Sequence, residues 1–264
     1  MKRSILFLLM LSLALPVFAA NDMPGKDITV KPARATWNTG YFQEALVRAG
    51  LTELGYDVEQ PKELQNPLFY QSVMLGDVDY WTNGWFPNHV SQMPKGSDER
   101  VEIVGYVVKA GGLQGYLVSK KHVEQYNIQS LDDFKRDDVK KAFDSNGDGK
   151  ADLTACPPGW GCEKVITHHF EVYNLDDHIN PIKAGFVVSD IQVVANKKFL
   201  KANPAAKRFF EVFTLPLSDI NVQNTKMQDG EKSQEDIERH AKEWIAANQD
   251  TWNGWLEDAR KAAK

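Results

Sequence analysis

From Asp27 to Thr82 the chain alternates two hydrophobic patterns, and this alternation restricts the possible folds more than any other feature. Asp27-Ile28-Thr29-Val30 reads as a strand, and a helical stretch from about Phe42 to Leu54 puts Phe42, Leu46 and Ala49 on one face before Gly55 ends it. Tyr56 to Glu59 reads as a second strand, Tyr70 to Leu75 as a helix closed by Gly76, and Val78 to Thr82 as a third strand. Strand, helix, strand, helix, strand implies an α/β fold with a parallel sheet, right-handed crossovers and helices on its faces. Ligands of such open sheets sit at the carboxyl ends of the strands. The segments after the first and third strands are therefore the places to look, and they hold Trp37 and Trp85.

Beyond Val101 strand character dominates, at Val101 to Val108 and Gly115 to Ser119, and helical Leu131 to Phe143 follows. This reads as a second lobe. After Trp160 an amphipathic stretch reaches about Tyr173, and Asp190 to Ala195 is a buried-type strand. Asn203-Pro204 marks a helix start into Ala205 to Phe213, and Ser233 with Asp236 forms a capping-box-like start for a last long helix to about Asn248.

The first residues set an expectation about compartment. Lys2 and Arg3 precede an apolar run from Ile5 to Leu15, too short for the roughly 20 residues that span a bilayer. With Pro16 and the small residues of Val17-Phe18-Ala19, it reads as a signal peptide cleaved after Ala19, implying a secreted, most simply periplasmic, protein. Loss of Lys2 and Arg3 takes the formal charge from -5 to -7, so bulk electrostatics attract neither nucleic acid nor anionic lipid. A hydrophobic content of 42% with 25% charged residues excludes disorder, collagen and coiled coil.

The two cysteines frame Cys156-Pro-Pro-Gly-Trp-Gly-Cys162 and should pair in an oxidising compartment. So short a loop stabilises by only roughly 2 to 2.5 kcal/mol, which suits shaping a turn better than holding a fold together. The turn presents Trp160 at the start of a helix, where the unpaired amides of Gly161 and Cys162 carry partial positive charge and suit a carboxylate. Aromatic faces instead attract cations, by about 0.5 to 1 kcal/mol when exposed and about 2 or more when desolvated. A zwitterion with a bulky cationic end satisfies both. Trp85 by itself also has an ordinary reading, as a loop aromatic packed on its neighbours.

Gly84-Trp-Phe-Pro-Asn-His89, Gln114-Gly-Tyr-Leu117, the run from Phe143 to Leu153 with Cys156 to Glu163, Val194-Ala-Asn-Lys197 and Asp219-Ile-Asn221 together resemble the periplasmic glycine betaine and proline betaine receptors of bacterial osmoprotectant ABC transporters. The resemblance covers nearly the whole chain after the signal segment. It implies a two-lobed, type II-like solute-binding fold, with residues 20–105 and 185–264 in the first lobe and 106–184 in the second. It implies a quaternary ammonium held in a box of three Trp rings, two of them Trp85 and Trp160, and a carboxylate held by His89 and the amides of Gly161 and Cys162. A membrane permease and a cytoplasmic ATPase would be the partners of a monomeric receptor that carries out no catalysis.

In that family the third Trp comes from a Tyr- and Trp-rich segment returning from the second lobe, and no such segment is found here. The chain passes from second-lobe to first-lobe character between about Asp177 and Gly185, as if an internal piece were deleted and the second lobe shortened. Trp37 is the candidate replacement wall, the alternative being an aromatic that caps the first-lobe sheet. A shortened receptor that has lost its ligand, a decoy or a remnant, is the rival functional reading.

The other tryptophans read as structure: Trp81 in a strand, Trp244 on a face with Ile237, Ala241 and Ile245, and Trp252 and Trp255 packing down the C-terminal segment. Asp144, Asn146, Asp148 and Asp152 match the first part of a calcium loop, but Ala155 stands where a bidentate Glu is required, so a weak calcium site and a plain acidic turn both remain open. His168-His169 reads as a solvated helical pair. No nucleophile with an identifiable base, phosphate loop or metalloprotease motif is present, and no cofactor is expected.

Overall fold

The computed structural model describes residues 23–156, 159–180 and 189–264. The expected signal peptide 1–19, Pro157, Pro158 and the first-lobe return at 185–188 lie outside the described residues. The chain begins with β1 (Thr29–Val30), β2 (Pro32–Arg34), α1 (Asn38–Glu53), β3 (Asp57–Val58), β4 (Lys62–Glu63), α2 (Asn66–Leu75) and β5 (Tyr80–Phe86). This is the alternation that the hydrophobic pattern predicts. Gly76 closes α2 at φ 86°, a left-handed position that a residue without a Cβ adopts freely.

β6 (Val101–Gly112) and the much later β9 (Ser189–Asn196) complete a five-stranded sheet in the order β4-β2-β5-β9-β6. Only β4, β2 and β5 run parallel; β9 lies antiparallel between β5 and β6, so the sheet is mixed where the pattern suggested a parallel one. β6 pairs with β9 as far as Gly112, beyond the lobe boundary expected at 105.

Neighbouring residues of these strands feed two cores, one on each side of the sheet. Tyr80, Val193 and Ala195 face a large cluster with Leu46 and Leu51 of α1, Phe209 and Phe210 of α7 (Pro204–Val212) and Phe213. Trp81 and Val194 face Phe69, Tyr70 and Val73 of α2. A strict period of two would send Tyr80 and Trp85, five positions apart, to opposite faces. The register shift between Trp81 and Gly84 lets both pack on the larger cluster, as bulges do when they re-aim a side chain.

The C-terminal tryptophans are structural. α9 (Gln234–Ala247) starts at the Ser233–Asp236 capping box, and α10 (Gln249–Ala262) lays Trp252 edge-on to Phe209 at 5.9 Å and Trp255 edge-on to Phe213 at 5.4 Å. Trp244 stacks on Trp255 at 5.8 Å.

A smaller body comprises α3 (Lys120–Tyr126), α4 (Asp137–Phe143), β7 (Ala151–Asp152), α5 (Gly161–Tyr173) and β8 (Ile179–Asn180). Its buried core is small: Ala151, Phe170, Leu175 and Ile179. Two expectations fail in this region. Residues 115–119 form no strand, because no strand among the described residues pairs with them and an unpaired strand leaves its backbone groups unmet. The predicted helix 131–143 is broken into a 3-10 turn, Leu131–Lys135, and α4, since Arg136 is extended at ψ 138°. No helix among the described residues is long and apolar enough to cross a membrane.

Candidate solute-binding site

Trp37, Trp85, His89, Trp160, Gly161 and Cys162 line one cleft of about 210 Å³, together with Asn38, Thr39, Asn88 and Gln114. Three separate segments deliver the indoles. Trp37 is the N-cap residue of α1, Trp85 stands inside the end of β5 rather than in the loop after it, and Trp160 is the N-cap residue of α5. The rings of Trp37 and Trp160 are adjacent walls, with centroids 5.1 Å apart and planes at 61°. A larger hollow of about 630 Å³ lies elsewhere, beside Asp79, Arg100, Lys197 and Lys198. Its lining carries charges of both signs and no tryptophan, so it lacks the chemistry for a methylated cation.

One buried amide ties two of the rings together. Trp37 Nε1 donates to Asn83 Oδ1 at 2.6 Å, and Trp85 Nε1 donates to the same oxygen at 2.8 Å. Asn83 Nδ2 in turn donates to Gln43 Oε1 of α1, and both Asn83 and Gln43 are fully buried. The reading from the residues missed Asn83. Its signal was there, since a polar side chain inside a strand as apolar as Tyr80–Phe86 must find a partner when buried.

His89 sits on the 3-10 turn Asn88–Gln92 that follows β5 and is 3% exposed. Burial pushes its imidazole from the ordinary 6.5 down to about 3, so the ring is neutral across the physiological range. Trp85 N–H donates to Nδ1 at 3.3 Å, and the Tyr70 hydroxyl lies 2.8 Å from the same nitrogen. A backbone N–H can only donate, so the proton of the neutral ring belongs on Nε2, which is 3.1 Å from the Asn66 amide. Turning that amide lets Asn66 Oδ1, otherwise without a partner, accept the bond. The structure thus places His89 in the cleft wall, within hydrogen-bond distance of Tyr70, Trp85 and Asn66. Both ring nitrogens are already engaged inside the protein.

The amides of Gly161 and Cys162 differ from the imidazole in this respect. They are the first two of α5, and no described residue accepts from them, whereas Glu163 N–H already bonds Trp160 C=O at 3.1 Å. The Cys156–Cys162 disulfide spans 6.1 Å between Cα atoms and ties the turn that carries Trp160. Gly161 is required by close approach: a Cβ there would lie 2.9 Å from His89 Cδ2 and 3.0 Å from Asn88 Nδ2. Across the same junction Asn88 Nδ2 donates to Gln114 Oε1 at 3.4 Å and Lys164 Nζ to Ser91 C=O at 3.1 Å.

The acidic loop departs from the calcium reading. Asp144 accepts from the amides of Gly147, Asp148 and Gly149, Asp148 from Lys150 N–H, and Asp152 from Ser145 N–H at 2.8 Å. Asn146 Oδ1 is likewise taken by Asp148 N–H. These bonds are those of an acidic turn closed on its own backbone. No group of three or more His, Cys, Asp or Glu that could hold a metal ion occurs among the described residues.

A sheet with helices on both faces, a second smaller body and an aromatic cleft where the two meet define a two-lobed solute-binding protein. The sequence profile of the substrate-binding domain of ABC-type glycine betaine transport systems matches residues 28–185 and 179–247, and the chain belongs to that family. It is 37% identical to the glycine betaine-binding periplasmic protein OusX of Dickeya dadantii over 94% of this chain and 95% of that one. It is 33% identical to the glycine betaine/proline betaine-binding periplasmic protein of Escherichia coli over the full length of both. That alignment spans 332 positions against the 264 residues here, so the relative contains residues without a counterpart in this chain. The profile's two pieces meet at 179–185, where the sequence places the deletion.

Among solved structures, the lactococcal OpuAC protein in its closed form with glycine betaine superposes at TM-score 0.67 and 19% identity, covering 87% of this chain and all of that one. The glycine betaine/L-proline-binding protein ProX of Borrelia burgdorferi superposes at 0.70 and 14%, covering 89% and 100%. A choline-binding ABC-transporter protein in complex with choline gives 0.66 and 17%, over 89% and 96%.

Proposed function

We propose that the chain is the periplasmic receptor of an ABC importer and binds glycine betaine or a close quaternary ammonium relative. The observation that carries this reading is the convergence of three indoles, Trp37, Trp85 and Trp160, on the cleft that also holds the open amides of Gly161 and Cys162. The ring faces attract a methylated ammonium that has no N–H to donate, and the amides take the carboxylate at the positive end of α5. His89 supplies a neutral wall, and Trp37 stands in for the ring of the missing segment.

Residues 1–19 would direct export and be removed, leaving a monomer that hands its solute to a permease driven by an ATPase. The lobes comprise residues 20–105 with 185–264, and 106–184, with β6 reaching across the boundary. No covalent chemistry is assigned to the protein. The filled arrangement of rings and amides favours a binding-competent receptor over a decoy. Calorimetric titration with glycine betaine tests it: saturable heat with one site is expected, and no heat at millimolar betaine refutes it.

A further inference from the structure

Both indole N–H groups of Trp37 and Trp85 end on one oxygen, Asn83 Oδ1, at 2.6 and 2.8 Å. An amide oxygen has two lone pairs, so two donors saturate it. Asn83 has no exposed surface and does not line the cleft. The polar edge of each ring is therefore turned inward, toward the strand, and neither N–H remains to face the solute. The amide itself cannot rotate freely, because Asn83 Nδ2 is held by Gln43 Oε1 on α1.

Strand periodicity explains how this is possible: Asn83 and Trp85, two positions apart on β5, present their side chains to the same face. Trp37 arrives separately, from the N-cap position of α1, while Trp85 lies in β5. An indole can otherwise pivot about two side-chain torsions, and an unclamped pair would sample orientations that spoil the enclosure. Fixing two rings beforehand removes that cost from binding.

We infer that Asn83 is a positioning residue for the aromatic cleft: its one carbonyl oxygen sets the angle between the Trp37 and Trp85 rings and keeps their N–H edges away from the solute. The inference rests on the betaine-binding reading, and its test separates the two. In protein labelled with ¹⁵N-tryptophan, the indole signals of Trp37 and Trp85 are assigned by Trp37→Phe and Trp85→Phe. Without solute, both should lie downfield and exchange slowly with water.

Asn83→Leu should move those two signals upfield, leave those of Trp252 and Trp255 in place, and weaken glycine betaine by about tenfold or more. Asn83→Asp keeps an acceptor, and the Gln43 amide can turn its Nε2, which has no partner, toward it. This variant should recover both indole signals and most of the affinity. An Asn83→Leu protein with parental affinity, or with the two signals unmoved, overturns the inference. Should Asn83→Leu fail to fold, Asn83→Asp decides, and loss of affinity with both signals retained counts against it. If the parent protein binds no betaine, the proposed function falls, while the indole signals of the solute-free protein still decide whether the clamp exists.

Discussion

Trp37 carries the largest single consequence at the scale of one residue. Its ring touches Trp160 and also Trp81, at 5.7 Å, so it both packs on the sheet and faces the cleft. If it serves as a wall, Trp37→Ala should weaken glycine betaine by about 2 kcal/mol, some thirtyfold, in calorimetry. Unchanged affinity would return it to the role of a sheet cap. His89 and Glu44 give opposite pH signatures. His89 titrates near 3 when folded against 6.5 when unfolded, so the unfolded chain binds the extra proton and stability falls as pH drops from 6.5 toward 3. Because the ring of the folded protein stays neutral above about pH 3, betaine affinity should be flat from pH 5 to 8, and a step near 6.5 in a titration series would contradict the assignment. Burial raises the fully buried Glu44 carboxyl to about 7, against the opposing pull of Arg48, whose Nε lies 3.2 Å away. Here the folded state retains the proton, so its stabilising effect is full below about 4.5 and is lost as pH rises through 7. Glu44→Gln should therefore raise Tm relative to the parent at pH 8 and hardly at all at pH 5, and equal shifts at both would refute the sign.

Among the elements, the start of α5 and the 3-10 turn after β5 are mutually dependent. Gly161, the first residue of α5, lets the turn bearing Asn88 and His89 come within contact distance of the helix amides. Gly161→Ala obliges the side chains of His89, Asn88 and Gln92 to give by a few tenths of an ångström. It should cost betaine affinity while leaving Tm within a few degrees, since Gly161 lies outside every buried apolar cluster; a parental affinity by calorimetry would show the junction to be unimportant. Such a junction has a faint sequence signal. A glycine beside Trp160 is compatible with a close approach, but the identity of the approaching element is invisible in the sequence, because Asn88 lies more than seventy positions earlier in the chain.

For the molecule as a whole, the two bodies have very unequal cores. The main sheet buries the aromatic cluster of Phe209, Phe210, Phe213 and Trp252, whereas the apolar cluster of the smaller body holds four buried residues, and that body is tied by one short disulfide. Stability is correspondingly local. Amides of α3 and α4 should exchange with deuterium well before those of β5 and β9, and saturating betaine should slow the α5 amides most, because the proposed site is lined by residues of both bodies. Uniform exchange across the chain would show that the smaller body draws its stability from contacts other than its own core. Reducing the disulfide should remove about 2 kcal/mol, felt in α5 and not in the main sheet.

The linear chain determined the α/β class, the crossover order of its first half, the Trp160 turn, the last helix caps and the family, because these depend on local periodicity, capping and motifs a few residues long. The strand-end rule also pointed Trp37 and Trp85 to one cleft, and the resemblance added Trp160. The linear chain did not reveal the antiparallel β9, the failure of 115–119 to pair, the engagement of both His89 nitrogens or the shared oxygen of Asn83. Each of those depends on which distant backbone or side chain arrives at hydrogen-bonding distance, and strand pairing and buried polar satisfaction are decided only once the chain has packed.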